Sequence, residues 1–341
     1  MLEPLSILGI GSVPFSEGKN SCKEIFENWN IPYWPQYPKR SLRENFVFQF
    51  LSSFPGLKVT DKSATFNEAE FLAGEAAYRK ALKETLTQSN SFSFEPPPDW
   101  ALGYGQMKQL LAENRSFHQI IKLHITSPTT IWDAFFKSRV SKTLAPKVWE
   151  VLNPTLIASG LGQIRRVLSY GKIPLIFIDE PIRQKEISSL KKLVKAFKSE
   201  KALVGLHVCS NQDWSKYGEL ELDFFHFDIT AYTDLASEHK DFLRELVRRK
   251  AWLAWGVVPS IEISASPAVG QSQNLLMWAD KIAALDLSVE QILNQSLLAL
   301  SCGTGTLNFI QEESIFEQLR TVSRELKYLK SHLGKKIKNQ P

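Results

Sequence analysis

The feature that most constrains this chain is its rhythm. Short apolar or β-branched runs alternate with longer segments of helical period along most of its 341 residues. The runs that read as strands are Leu5–Ile10, Ile120–Ile125, Pro174–Asp179, Leu203–Cys209, Asp223–Ile229, Trp252–Val258 and Leu297–Cys302. A further strand is expected near Leu57–Thr60 or Phe92–Phe94. Between them lie amphipathic segments such as Ile187–Lys198, Leu235–Arg249 and Val289–Leu298. Repeated strand and helix imply a parallel sheet, because a parallel neighbour is reached only through a crossover. About eight strands can close into a barrel, which typically takes ~250 residues. The expected fold is α/β: a single (β/α)8 TIM barrel over residues 1–341, with an extended N-terminal insertion or arm at about 15–114 and a basic tail at 325–341. The Ser/Pro-rich stretch from Gln88 to Asp99 reads as a loop or arm within that unit.

Composition removes several other classes. Hydrophobic residues make up 43% and charged residues 23%, which is enough apolar material for a large core. No run approaches the ~18 apolar residues of a membrane helix. The first twenty residues carry Glu3 and Glu17 and lack a basic start, so no secretory signal is expected. Lys plus Arg exceeds Asp plus Glu by 41 to 36, and much of that excess is Lys327, Lys330, Lys335, Lys336 and Lys338. That segment reads as a solvated tail, and the Lys-rich stretch Lys191–Lys201 as a solvated helix face. Without a basic stripe interleaved with aromatics, neither a nucleic acid nor a membrane is an expected partner. Three cysteines, Cys22, Cys209 and Cys302, suit a reducing, cytoplasmic setting, and metal or catalysis rather than disulfides.

A barrel places its chemistry at the C-terminal ends of its strands. Standing there are Gly9-Ile10-Gly11-Ser12, Thr126-Ser127-Pro128, Asp179-Glu180-Pro181, His207-Val208-Cys209, Asp228 and Cys302-Gly303. Strand alternation turns Gly205, His207 and Cys209 inward and Val204, Leu206 and Val208 outward. An imidazole and a thiol two residues apart on one face can reach one ion. Asp228 and Cys302 complete a plausible four-coordinate set, and its thiolates favour Zn2+ over magnesium or calcium. The bland alternative is a buried Cys, a satisfied His and a capping Asp. If zinc is held, the chemistry is thiol activation: a free thiol has a pKa of ~8.5, whereas a metal-bound thiol is deprotonated outright. Glu180 should point away from the site, His226 reads as an interior histidine on the face of Asp228, and Cys22 lies outside the constellation.

The motifs G-I-G-S-V-P near the start, I-D-E-P at 178–181, G-L-H-V-C-S-N-Q-D-W at 205–214, A-W-G-V-V-P at 254–259 and S-C-G at 301–303 resemble the catalytic half of cobalamin-independent methionine synthase. The likeness is closest to its short, single-barrel relatives, within the wider superfamily of uroporphyrinogen decarboxylase and methyltransferase barrels. It implies that His207, Cys209, Asp228 and Cys302 are the catalytic zinc ligands. It also implies that Ile10, Ser12 and Asp179 bind the amino acid group of homocysteine, through peptide N–H groups, a hydroxyl and a carboxylate paired with the ammonium.

The chain departs from that pattern in several places. The family's acid ligand is usually Glu, and here it is Asp228. The second substrate-binding acid falls near Ser41, with Glu44 as the neighbouring substitute. The late His before Ser-Pro is missing from Glu262-Ile263-Ser264-Ala265-Ser266-Pro267, and the aromatic near the folate is displaced if Trp132 is its counterpart. The family's second barrel has no counterpart. The function implied is methyl transfer to the thiol of homocysteine, giving methionine. The donor would be methylcobalamin, a methyl-corrinoid partner protein or methyltetrahydrofolate. The alternatives are a zinc methyltransferase for another thiol, such as coenzyme M, or a non-catalytic barrel relative.

Overall fold

A computed structural model describes residues 2–15, 21–88, 91–113, 118–182, 186–210, 212–230, 238–260, 268–284 and 286–338. The segment 262–267 and the start of the expected helix Leu235–Arg249 fall outside the described residues.

Two short strands come first, β1 (Leu57–Val59) and β2 (Ala64–Phe66). Six more follow: β3 (Ile120–Thr126), β4 (Ile173–Asp179), β5 (Leu203–Val208), β6 (Phe224–Asp228), β7 (Trp252–Val258) and β8 (Ser296–Leu300). β3 to β8 form one curled sheet in sequence order, and every pairing is parallel. The architecture is therefore TIM-barrel-like, with six strands in the ladder. Helices cover the outside. Helix Ser188–Ser199 buries Leu190, Leu193, Val194 and Phe197, a spacing that makes one apolar stripe. Each such side chain contributes roughly 1.5–3 kcal/mol relative to exposure. Lys191, Lys192 and Lys195 occupy the opposite, solvated face.

The strand alternation divides the core in two. Val204, Leu206 and Val208 join the large outer cluster beneath the helices. Leu8, Leu175, Phe177, Phe224, Ala254, Leu297 and Ala299 form a separate inner cluster. Register across the sheet sets Thr126, Asp179, His207, His226 and Ala254 at one level, each the Cα partner of the next.

The expected first strand, Leu5–Ile10, is not part of a continuous ladder. It lies beside β8 through the bridge Ile7 to Leu298 and the bonds Leu8 N–H to Leu298 O and Leu298 N–H to Ser6 O. A second segment, from Ile31 to Gln36, lies beside it. Bridges join Leu8 to Ile31, Ser12 to Gln36 and Tyr33 to Lys122, so this segment runs between the chain start and β3. Its sequence explains why it makes bridges rather than a strand: Pro32 and Pro35 lack the N–H that a ladder needs.

The expected strand at Leu57–Thr60 does form, but as β1 in a separate antiparallel hairpin with β2. Residues 91–95 contain no strand, yet Glu95 is pinned to the main body by Arg166 and Lys108. The helix expected over Val289–Leu298 stops at Asn294. It begins with a capping box from Ser288 and Gln291, and residues from Ser296 enter β8. The basic segment from residue 325 belongs to helix Phe309–Lys338, where Leu319, Val322 and Leu326 are buried.

Candidate metal centre

Three of the four expected metal ligands converge. A ring nitrogen of His207 and the sulfurs of Cys209 and Cys302 all lie within 4.8 Å of one another. His207 sits inside β5, Cys209 one residue past its end, and Cys302 two residues past the end of β8. Gly205 makes room beneath them: a Cβ there would stand 2.6 Å from the Phe177 ring. Ligand atoms around a tetrahedral zinc are roughly 3.3–3.8 Å apart, given bonds of about 2.0–2.3 Å. Modest side-chain adjustment would therefore close the group around an ion, and the N/S/S donor set suits zinc.

Asp228 stands outside this group. It ends β6 at the expected place, but its Oδ1 accepts from the Thr230 N–H and hydroxyl, both at 2.7 Å. Oδ1 therefore caps a turn, and Asp228 is not one of the three residues whose ligand atoms converge.

The two thiols act on each other. The Cys209 thiol donates to the Cys302 sulfur, which together with burial raises the pKa of Cys209; the same bond pulls Cys302 down against the effect of its own burial. Burial also holds His207 well below the ordinary histidine range, and pushes its neighbour His226 down to about 3. Their Nδ1 atoms are 2.6 Å apart, and the Nε2 of His226 lies 2.9 Å from the Leu300 carbonyl.

His207, Cys209, Cys302 and Asp179 open onto one cavity of about 560 Å³. Among the described residues, Asp179 Oδ1 is buried there without a hydrogen-bond partner, and so is Nε2 of Gln36, another lining residue. Burial raises the pKa of Asp179, opposed by the Lys122 ammonium on β3, whose own pKa burial lowers. Ile10 and Ser12 also line the cavity. The Ile10 carbonyl accepts from Lys122, and the Ser12 hydroxyl accepts from the Gly305 N–H. Gly303 leaves room for this hydroxyl, since a Cβ there would lie 2.1 Å from Ser12 Oγ and turn it away.

Glu44 reaches the cavity wall too, but its oxygens serve the fold. They accept from the Arg40 guanidinium and the N–H groups of Tyr37 and Leu102, the last opening helix Leu102–Ala112. Glu180 is turned away and fully buried, with Oε1 accepting from Thr130. Trp132 packs against Phe136 and Trp149 rather than in the cavity. Cys22 is buried in helix Ser21–Asn28.

Two interior residues carry more than sequence reasoning assigned to them. His226 touches His207 because the two are Cα partners. Lys122 is a fully buried cation on the inward face of β3, donating to Ile10 O and standing 3.0 Å from His124 Nδ1. The available signal for Lys122 was a lysine two residues from a histidine inside an otherwise apolar run.

No protein-family model matches the chain, and no curated protein matches it. Among solved structures, a methyltransferase from Methanosarcina mazei is similar over 96% of this chain and 95% of its own, with TM-score 0.52 and 14% identity. At that identity the likeness concerns the fold alone. The Bacillus subtilis YkuI protein, solved with c-di-GMP and calcium, aligns over 81% of this chain and 58% of its own, with TM-score 0.32 and 11% identity. An endo-beta-1,4-mannanase from Thermotoga petrophila aligns over 58% of this chain and 52% of its own, with TM-score 0.35 and 12% identity. Neither likeness carries an argument.

Proposed function

We propose that this protein is a zinc-dependent thiol methyltransferase, and that its acceptor is an amino acid thiol such as homocysteine, converted to methionine. The observation that carries this reading is the convergence of His207, Cys209 and Cys302 beside Asp179, whose Oδ1 is buried without a hydrogen-bond partner among the described residues, in one cavity. In this reading the segments at 5–13 and 31–37 complete an eight-stave barrel, and its mouth holds the site.

Three protein donors leave one position of a tetrahedral ion for substrate, as in catalytic rather than structural zinc sites. Zinc bound by these residues would supply thiol acidity, making a sulfur nucleophile available at neutral pH. The chain's own residues do the rest. Asp179 Oδ1, lacking any protein donor, receives the substrate ammonium, and Gln36 Nε2, lacking any acceptor, donates to its carboxylate. Ser12, on the same wall, adds a hydroxyl. The sulfur then attacks the donor's methyl carbon. A carbon–sulfur bond forms, the methyl–donor bond breaks with its electron pair left on the donor, and the thiol proton passes to water. A sulfonate thiol such as coenzyme M would set its anion against Asp179, which argues against it.

The test is a methyl-transfer assay on the purified protein, with homocysteine against coenzyme M as acceptor and methylcobalamin against methyltetrahydrofolate as donor. Metal content is measured on the same preparation. The expected result is about one zinc per chain and methionine formed from one of the donors. No zinc uptake by the metal-free protein would overturn the reading.

A further inference from the structure

The contact between His207 and His226 decides which nitrogen of His207 is free. Two ring nitrogens 2.6 Å apart hold a single hydrogen between them. The other nitrogen of His226, Nε2, faces the Leu300 carbonyl at 2.9 Å, and a carbonyl only accepts. So Nε2 of His226 carries that ring's proton and its Nδ1 is bare. The shared hydrogen therefore belongs to Nδ1 of His207. The lone pair of His207 is then on Nε2, and His226 has none left for an ion.

We propose that His226 is a positioning residue, which locks His207 in its Nδ1–H tautomer and leaves Nε2 as the nitrogen offered to a metal. The purpose of the device rests on the metal reading above; the tautomer itself does not. The anchor of the chain adds a further link. Leu300 ends β8, two residues before Cys302, so the strand end that presents one thiol also sets the histidine opposite it. A neutral imidazole oriented through its second nitrogen is what metal-binding histidines require.

The test has two arms. In the first, long-range 15N–1H correlation spectra are taken on metal-free protein labelled at histidine, with His207→Gln and His226→Asn used for assignment. A protonated Nδ1 and bare Nε2 at His207 are expected, and the reverse tautomer overturns the proposal. In the second, zinc affinity is measured by chelator competition. His226→Leu should weaken binding by about 10- to 100-fold. His226→Asn, whose amide oxygen can accept the same N–H, should restore most of that loss. A His226→Leu protein with unchanged affinity overturns the proposal. If the leucine variant does not fold, the wild-type spectrum decides. If wild-type protein binds no zinc yet shows the expected tautomer, the metal reading fails and the positioning role of His226 stands.

Discussion

His124 on β3 and His226 on β6 occupy matching surroundings. Each is fully buried, and each points Nε2 at a main-chain carbonyl, of Trp34 in one case and Leu300 in the other. Each has its Nδ1 near a second polar side chain on the inner face of the sheet. They differ in what that side chain is. Beside His124 it is the Lys122 ammonium, which also donates to Ile10 O and lies over the Phe177 ring, while Gln163 ties Trp34 to the His124 carbonyl and closes the network. Beside His226 it is His207, a cavity residue within reach of two thiols. One side closes its hydrogen bonds within the protein, and reaches the cavity only through the charge of Lys122 on Asp179; the other passes its hydrogen bonds on to a space where a ligand fits. Buried polarity alone did not separate the two, and the end of each chain of contacts does.

The comparison can be broken most sharply at His124. His124→Leu strips the Lys122 amine of a buried hydrogen-bond partner, which should cost about 1–3 kcal/mol in a denaturation measurement. Zinc affinity should hardly change. If zinc affinity falls as far as in His226→Leu, the two sides are not separate systems. Cys302→Ser should do the opposite, abolishing methyl transfer and lowering zinc affinity by at least ~100-fold while leaving the melting temperature of metal-free protein nearly intact. Full activity in that variant would remove Cys302 from the site. Asp179→Asn should keep zinc and weaken homocysteine binding by roughly 10- to 100-fold, the worth of a charge-assisted contact. Equal affinity in calorimetry would take Asp179 out of the acceptor pocket. The smallest effect is expected at Asp228. Because its carboxylate caps Thr230, Asp228→Asn should change zinc affinity by less than about threefold and stability by ~1 kcal/mol. A loss as large as that of Cys302→Ser would restore it as a ligand.

Much of this was legible in the sequence, and the legible part has a common cause. Strand period and helix period are local properties, so the six strands from β3 to β8 and the inward turn of Gly205 and His207 followed from side-chain spacing. The chain's odd use of cysteine likewise pointed to Cys209 and Cys302. The Ile31–Gln36 segment was missed because prolines erase the ladder pattern, and only its bridges show that it lies beside the chain start and β3. Asp228 was chosen for its place at a strand end and Glu44 for its place beside Ser41, yet a carboxylate's role depends on which donors meet it. Thr230 meets the first, and Tyr37, Arg40 and Leu102 meet the second.

By itself, then, the sequence determined the six strands of the parallel ladder, their apolar faces and the side chains at their ends, since each follows from neighbours a few positions apart. Register was decided only in three dimensions. It set His207 against His226 and brought Cys302 to Cys209 across 92 intervening positions. The same closing of contacts satisfied Lys122 inside the protein and left Asp179 facing the cavity. Hydrogen bonds and ligand sets are sums over every group that arrives at a point, and no stretch of chain contains that sum.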